Sequence, residues 1–513
     1  MSDSSASNKR IAKNSIFLSI RMVIVLGISL YTTRVILQML GVVDYGVYNV
    51  VCGFVAMFAF LNTSMSNGIQ RFFNYEYGKN GEEGVRNVYC TSLYIQVLLA
   101  FIVVVLIEVL GLWYLHNKMV IPIDRMVAAE WIFQFAVLSF VFVIMQAPFV
   151  AAIMAHERMD FYAIVSVIDA ILKLGIAFLL LIIPGDKLII YGELFSLISI
   201  INFFLYYWYC KKHFDEIKLI RCFDRNLFKS MLTFSWWNLF GSFSGIMKEQ
   251  GVNLVMNFFF GPIVNAARGI SAQINSAIQG FVSNMLIPVR PQVIQSYACG
   301  DIDRVMSLTY SISKFSSCFF FMMAIPIAIE IDYVLRLWLG DVVPDYANIF
   351  TILIFLISFV GLLNSAISTV VHATGIMKQY QFWGSMVSIS SVPISFVLLK
   401  VYSFPEIALI TVFVCSFISH VICLFIVRKL VGMSLVQYFR KTMIPILLVL
   451  VISLLVSIPV RLLLKDGLLR FVCILIESEI AIVFSLYFIA LNKGERILLS
   501  QLWDSAKKKM RIK

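Results

Sequence analysis

Long apolar stretches, each bounded by polar or charged residues, recur along the whole chain. A helix needs about 20 mostly apolar residues to cross the hydrocarbon core of a bilayer. About fourteen stretches reach that length, so the pattern predicts an all-α polytopic membrane protein with about fourteen transmembrane helices. The predicted spans are 14–38, 43–68, 88–115, 127–153, 161–184, 188–210, 232–258, 264–289, 310–331, 346–372, 379–401, 406–427, 442–464 and 471–492.

Composition supports a membrane protein. Of the 513 residues 60% are hydrophobic and 14% are charged, against roughly a quarter charged in soluble domains, and the mean hydropathy is +0.90. A soluble protein could not cover so much apolar surface with polar groups. Soluble enzymes, nucleic-acid-binding domains and disordered chains are therefore excluded, and no nucleic-acid partner is expected.

The formal net charge of +12, from 41 lysines and arginines, serves mainly as a topological marker. With fourteen spans and both termini in the cytoplasm, most of these cations fall on the inner side, as the positive-inside rule requires. A thirteen-span arrangement would place the strongly basic C-terminal tail outside. Both termini are therefore expected on the cytoplasmic side of the membrane.

Weak internal similarity at an offset of about 219 residues divides the chain into two parallel lobes of six spans. Matched positions include Leu40-Gly41 with Phe260-Gly261, Ser66-Asn67 with Ser283-Asn284, and Arg71 with Arg290. The predicted organisation is an N-lobe at 1–210, a basic cytoplasmic linker at 211–230, a C-lobe at 231–430, and two accessory spans with a basic tail at 431–513.

The linker is predicted to be amphipathic. Its apolar residues Phe214, Ile217, Ile220 and Leu227 recur at helical spacing among lysines and arginines, which favours a helix lying on the inner leaflet. A solvated linker is the alternative.

Spans one, two, seven and eight are unusually polar. Arg268, Ser271 and Asn275 share one helical face of span eight, and Asn253 and Asn257 share one face of span seven. Such helices either line a wet cavity between the lobes or form an interhelical hydrogen-bond network. Their matching places in the two lobes favour the cavity, which includes Asn275.

Five cations lie inside predicted spans: Arg21, Arg34, Lys173, Lys248 and Arg268. A charge deep in a bilayer is costly unless it is paired or faces water. Asp169, one helical turn before Lys173, is expected to pair with it. The other four have no acid one turn away on their own helix, and guanidinium groups bind phosphate in a forked geometry.

We therefore expect an anion-binding site made by Arg21, Arg34, Lys248 and Arg268. The alternative is that each cation pairs with a distant acid such as Glu108, Glu130 or Glu193.

Two further sets of residues are candidates by their repeat-related positions. Arg71 and Arg290 end spans two and eight, where they either receive an entering phosphate or serve as ordinary positive-inside anchors. Four residues interrupt spans one and seven, and we expect them to act as gating hinges or simply to end helices. They are Gly41, Gly46, Gly261 and Pro262.

Catalytic and cofactor motifs are absent from the sequence. There is no Walker A phosphate loop, the nine cysteines are scattered with no C-x-x-C pair, and the five histidines show no metal-ligand spacing. Neither an enzyme, a metal site nor a cofactor is expected.

Two segments, KRIAKNS at Lys9–Ser15 and MLGVVDYGVY at Met39–Tyr48, together with the two-lobe plan, resemble exporters of the MOP superfamily. The resemblance is to the polysaccharide-unit branch, the Wzx-like O-antigen and capsular flippases. It implies that an undecaprenyl-diphosphate-linked oligosaccharide moves from the inner to the outer leaflet by alternating access through a cationic cavity. It also implies membrane lipids, H⁺ or Na⁺ as coupling ion, and a polysaccharide polymerase and a chain-length regulator as partners.

Two other functions stay open. One is a multidrug exporter of the same superfamily, which acidic cavity residues would favour. Span one has no acid to match the cation-site aspartate of those relatives. The other is a membrane-embedded glycosyltransferase or polysaccharide polymerase, which usually needs a sizeable outer loop. The longest outer loops here have about a dozen residues.

Overall fold

The structure is a computed structural model that describes residues 2–156, 158–217, 224–286, 293, 296–297, 299–340, 342–374, 376, 378–491 and 496. Within these ranges it leaves out the side chains of 2–20, 23, 67, 71, 74–75, 77–82, 155, 159, 234–238 and 284–286.

All regular secondary structure in the described part is helical. The helices are α1 Ser2–Ala56, α2 Ala59–Asn117, α3 Met126–Ala155, α4 Met159–Ile182, α5 Lys187–His213, α6 Arg225–Ile246, α7 Val252–Phe260, α8 Pro262–Leu286, α9 Ile302–Ile329, α10 Ile331–Leu339, α11 Ala347–Thr374, α12 Lys378–Val401, α13 Glu406–Val431, α14 Leu435–Tyr438, α15 Ile444–Leu463 and α16 Leu468–Ser485. A 3₁₀ turn at Ile123–Arg125 precedes α3, and π-helical turns lie at Met247–Gly251, Phe439–Met443 and Leu486–Ala490.

Eleven helical segments of the described chain are long and apolar enough to cross a membrane. The predicted fold class, a polytopic helical membrane protein, is confirmed. Predicted spans seven and eight are also helical, as α6–α7 and α8. They are not among the eleven because their asparagine, glutamine and charged side chains lower their hydropathy.

The boundaries of predicted spans two and three differ from expectation. A turn at Met57–Phe58 interrupts predicted span two, and α2 then runs unbroken through the predicted loop at 69–87. Helix α2 has 59 residues, far more than the about 20 that cross a bilayer. Polar side chains lower the hydropathy without breaking the backbone hydrogen bonds of a helix, so a fall in hydropathy does not mark a helix end.

The described chain forms two compact units. The first comprises 1–273, 338–350 and 385–415, and the second comprises 274–337, 351–384 and 416–513. The lobe limits at 210, 230 and 430 stay a prediction.

Helix α1 and the α7–α8 junction are broken in the same way. Gly41 has φ 76° and ψ 173°, and Gly261 has φ 75° and ψ −170°. This region of backbone space is essentially open to glycine alone. The two glycines are matched in the sequence repeat, so the repeat has a counterpart in backbone geometry.

Gly46 allows α1 to pack closely against the first residue of α8. A Cβ atom built on Gly46 would lie 2.0 Å from the carbonyl oxygen of Pro262 and 2.9 Å from its Cβ. Any larger residue at 46 must therefore push the two helices apart. Of the predicted hinge residues, Gly41 and Gly261 interrupt helices, whereas Gly46 and Pro262 form a close contact.

Two residues of the linker pack into the core of the first unit. Helix α5 ends at His213 and α6 begins at Arg225, while 218–223 lie outside the described residues. Phe214 and Ile217 are buried in the core cluster of the first unit, and Phe214 stacks on His156 at 4.1 Å. The chain is irregular over 214–217. There the two side chains are buried in the core and do not form one face of a surface helix.

The Gly46 contact predicts a clear difference between two glycine substitutions in α1. Gly46→Ala should destabilise the protein by about 1–3 kcal/mol, the usual cost of overpacking. Gly27→Ala is the matched control, because no atom lies within 4 Å of its built Cβ, and it should be neutral or gain about 0.5–1 kcal/mol. The measurement is the thermal unfolding midpoint in detergent. Equal shifts for the two variants would contradict the contact.

Candidate substrate-binding site

A cavity of about 630 Å³ lies in the first unit among α1, α3, α4 and α5. We call it the Arg21 cavity. Its lining combines one arginine, an acid–lysine pair, amides, hydroxyls and aromatic rings. Its polar and aromatic members are Arg21, Tyr48, Cys52, Phe135, Ser139, Phe140, Gln146, Tyr162, Ser166, Asp169, Lys173, Phe195, Ser199, Asn202 and Tyr206.

Arg21 is the predicted site residue that the cavity contains. Its Nη1 donates a long hydrogen bond of 3.3 Å to Oγ of Ser166, and its guanidinium lies 5.1 Å from the ring centroid of Tyr162. Its Nε is buried and donates to no atom in the described part of the chain. Within the same residues it forms no ion pair, so its charge is not neutralised.

Lys173 is paired as predicted. Its Nζ lies 2.8 Å from Oδ2 of Asp169, and Nδ2 of Asn202 donates to the other carboxylate oxygen at 2.7 Å. Both oxygens of Asp169 are therefore engaged, and the pair adds no net charge to the cavity.

Lys248 and Arg268 meet at the π-helical turn between α6 and α7. Nη2 of Arg268 donates to the backbone carbonyl of Glu249 at 2.6 Å, and the Glu249 carboxylate attracts both cations. Nε of Arg268 is buried and has no partner among the described residues. Single π-helical turns inside α-helices frequently occur at functional sites. We call these two residues the Lys248–Arg268 pair.

The second half of α1 separates the Arg21 cavity from the Lys248–Arg268 pair. Tyr48 and Cys52 line the cavity. On another face of the helix, a Cβ on Gly53 would lie 2.8 Å from Oε1 of Gln250, and one on Gly269 would lie 2.7 Å from Oδ1 of Asn49. One cluster was expected, but Arg21 lies on one face of α1, and Lys248 and Arg268 lie on another.

The other predicted site residues are placed as follows. Arg34 is half-buried in α1 and has interactions of its own. Asn275 lies in the part of α8 that belongs to the second unit, and its Oδ1 is buried with no partner in the described part of the chain. The side chain of Arg71 and the whole of Arg290 lie outside the described residues.

Two of the three distant acids considered as partners are engaged elsewhere. Glu108 accepts a hydrogen bond from Gln134 at 3.2 Å, and Glu130 lies 2.7 Å from Nε2 of His116. They are thus occupied by side chains other than the cations of the site.

The polar face of span seven forms a hydrogen-bond network, contrary to the cavity preferred from sequence. Nδ2 of Asn257 donates to Asn265 at 3.0 Å, and Nδ2 of Asn265 donates to Oδ1 of Asn253 at 2.7 Å. Oδ1 of Asn257 also accepts from the backbone N–H of Val120 at 3.0 Å. All three asparagines are buried. These amides satisfy one another, so they stabilise packing and do not face a ligand.

Sequence reasoning missed a three-residue ion cluster beside the Gly41 break. Arg125 donates two hydrogen bonds to Asp44, at 2.6 and 2.7 Å, and two to Asp186, at 2.7 and 2.9 Å. Asp186 also caps the first turn of α5. Burial raises the pKa of Asp186, but hydrogen bonds from Arg125 and the Ile189 N–H outweigh it and hold the pKa below its ordinary value. The one sign of this ion cluster in the sequence was Asp44, an acid within the MLGVVDYGVY segment.

Lys314 is a further buried cation. It lies in α9, and its Nζ donates to the carbonyl of Ala490 at 3.0 Å. The last carbonyls of a helix have no partner within the helix and attract a cation. Lys314 therefore caps the π-helical turn that follows α16.

Within the described residues, no group of three or more histidine, cysteine, aspartate or glutamate side chains could hold a metal ion.

The ion cluster predicts a graded effect of substitution at Arg125. Arg125→Ala leaves two half-buried carboxylates without their cation and should cost about 1.5–3 kcal/mol, the range for hydrogen bonds to charged groups. Arg125→Lys keeps the charge but cannot form both forked contacts, so its cost should be intermediate. Thermal unfolding in detergent measures both. If alanine and lysine behave alike, the forked geometry does not matter for stability.

No protein-family model matches the chain, and no curated protein matches its sequence. Among solved structures, the lipid II flippase MurJ in an inward closed conformation is 15% identical, with a TM-score of 0.65 over 92% of this chain and 98% of that chain. A multidrug resistance MATE family transporter of the MOP superfamily, inward-facing, is 13% identical, with a TM-score of 0.63 over 80% and 98%. An outward-facing multidrug resistance MATE family transporter is also 13% identical, with a TM-score of 0.57 over 82% of this chain and 96% of that chain. The chain therefore has a polytopic helical fold like that of these transporters.

Proposed function

We propose that the protein flips an undecaprenyl-diphosphate-linked oligosaccharide, the repeat unit of an O-antigen, capsule or exopolysaccharide, from the inner to the outer leaflet of the bacterial plasma membrane. The head group crosses by alternating access past the cations of the first unit, while the lipid tail stays in the bilayer.

The observation that carries this proposal is the state of Arg21 and Arg268. Each has a buried Nε without a partner, and neither forms an ion pair with any residue the structure describes. A guanidinium in a membrane span is costly unless water or an anion meets it. Guanidinium groups bind phosphate and carboxylate at two points, so an anionic cargo fits them.

The fold supports a lipid-linked cargo. The MurJ structure, named a lipid II flippase, spans 92% of this chain. A bulky polar head group attached to a lipid is the kind of substrate that this architecture can move.

A multidrug exporter of the MATE kind is the second candidate, since MATE transporters share the fold. A lipophilic cation needs an available carboxylate. Asp169, the acid in the lining of the Arg21 cavity, already holds Lys173 and Asn202. The charge balance therefore favours an anion. A membrane-embedded glycosyltransferase or polymerase is less favoured, since the connections between α2 and α3 and between α10 and α11 are short.

In the proposed cycle the breaks at Gly41 and Gly261 act as hinges, and the Gly46–Pro262 contact is where the helices separate. Arg71 and Arg290 receive the diphosphate at the cytoplasmic side.

The proposal also covers topology, energy and partners. Both termini lie in the cytoplasm, and H⁺ or Na⁺ supplies the driving force. A polysaccharide polymerase and a chain-length regulator use the product.

Loss of the gene should leave lipid-linked oligosaccharide on the cytoplasmic leaflet and remove the surface polysaccharide, because the repeat unit no longer reaches the outer leaflet. The measurement is the amount of lipid-linked oligosaccharide in inverted and right-side-out membrane vesicles of the deletion strain. Altered drug resistance with intact surface polysaccharide would favour the multidrug exporter instead.

Substitution of the two unpaired arginines should reduce transport. Charged hydrogen bonds contribute about 1.5–3 kcal/mol each, so Arg21→Ala and Arg268→Ala should each slow flipping by about ten- to hundredfold in proteoliposomes. Arg461→Ala is the control, because Arg461 is exposed near the end of α15, and it should transport normally. Normal transport by both alanine variants would remove these residues from the site.

A further inference from the structure

The Arg21 cavity contains polar atoms that the protein itself leaves without partners. Nε of Arg21, Oγ of Ser139 and Oδ1 of Asn202 are each buried and make no hydrogen bond within the described part of the chain. Buried polar atoms in folded proteins are nearly always satisfied by protein, water or ligand. The cavity therefore offers a donor and two acceptors to a guest.

The cavity has one uncompensated positive charge. The Asp169 carboxylate holds Lys173 at 2.8 Å and Asn202 at 2.7 Å, so this pair is neutral. Arg21 has five N–H donors, and one of them donates to Oγ of Ser166 at 3.3 Å. Charge balance therefore favours a guest with a single negative charge.

The walls of the cavity match a sugar ring. Pyranose rings have apolar C–H faces that pack on aromatic side chains, and hydroxyls around the edge that need hydrogen-bond partners. Gln146 and Ser199 in the lining can supply such partners. The volume of about 630 Å³ is within the roughly 300–1,000 Å³ of small-molecule sites. Aromatic rings in the lining are Tyr48, Phe135, Phe140, Tyr162, Phe195 and Tyr206.

A diphosphate fits this cavity poorly. It carries at least two negative charges near neutral pH, against the one uncompensated charge of Arg21, and it has no apolar face for the aromatic rings. The Lys248–Arg268 pair lies on another face of α1 and supplies cations away from these rings. The diphosphate and the sugar therefore belong to different places.

We propose that the Arg21 cavity binds a carboxylated sugar residue of the transported oligosaccharide, with the Arg21 guanidinium on the sugar carboxylate. Tyr162 and Ser166 position the guanidinium, and the aromatic rings hold the sugar face. The proposal rests on the proposed function, since it takes a lipid-linked oligosaccharide as the cargo, and it narrows that cargo to acidic glycans.

Two methyl glycosides test the proposal directly. Methyl β-glucuronide and methyl β-glucoside differ only by a carboxylate in place of a hydroxymethyl group. Their binding to the full chain in lipid nanodiscs is measured by saturation-transfer NMR titration. We expect the glucuronide to bind at least tenfold more tightly than the glucoside, and inorganic diphosphate at the same concentration not to displace it.

Substitutions assign the preference to Arg21. Arg21→Gln should reduce the preference for the glucuronide to less than threefold, while Arg21→Lys, which keeps the charge, should retain part of it. Retained binding by the lysine variant also shows that the cavity is still folded. Arg461→Gln on an exposed surface is the control and should leave the preference unchanged.

Several results would overturn the proposal: equal binding of the two glycosides, binding of neither, an unchanged preference in Arg21→Gln, or displacement by diphosphate, which would assign the cavity to the phosphate.

Failure of the proposed function is separate. A protein that prefers the glucuronide but flips no lipid-linked oligosaccharide in proteoliposomes would keep the cavity assignment and lose the flippase. A protein that flips the lipid but does not prefer the glucuronide would keep the flippase and lose the cavity assignment.

Discussion

The cost of a charge in a hydrocarbon environment governs the arrangement of this chain. Every cation in a span must find an acid, a carbonyl, water or a ligand. Lys173 finds Asp169, and Lys314 finds the end of a helix. Among the residues that the structure describes, Arg21 hydrogen-bonds a serine hydroxyl and Arg268 a backbone carbonyl, and each keeps a buried Nε without a partner. The structural needs of the fold do not account for these two residues, so they are where the chain can meet an anion.

The backbone breaks connect those charges to movement. Gly41 and Gly261 adopt a conformation that other residues rarely reach. The α1 segment that follows Gly41 contacts the Arg21 cavity through Tyr48 and the α7–α8 region through Gly53. A rotation of this segment about Gly41 would therefore change the cavity and the surroundings of the Lys248–Arg268 pair together. One hinge can thus act on two parts of a head group, a sugar and a diphosphate.

Local patterns in the sequence were sufficient for the helices and for the Lys173–Asp169 pair, which lies one turn apart on one helix. They were not sufficient for contacts between distant segments. Arg125 reaches two acids, 61 and 81 residues away, and no spacing rule identifies such partners. For the polar face of span seven the sequence favoured a cavity and the structure shows a network, because periodicity shows which residues share a face but not what that face meets. Helix α2 continues through the predicted loop at 69–87, because polar side chains lower the hydropathy without ending a helix.

The most direct test of the central claim is a cryo-EM map of the protein in nanodiscs with a bound undecaprenyl-diphosphate-linked acidic oligosaccharide. We expect density for the diphosphate against Arg268 and Lys248, and density for a sugar in the Arg21 cavity. Substrate density that avoids all three cations, with Arg21 and Arg268 each held by an acid of the protein, would contradict it.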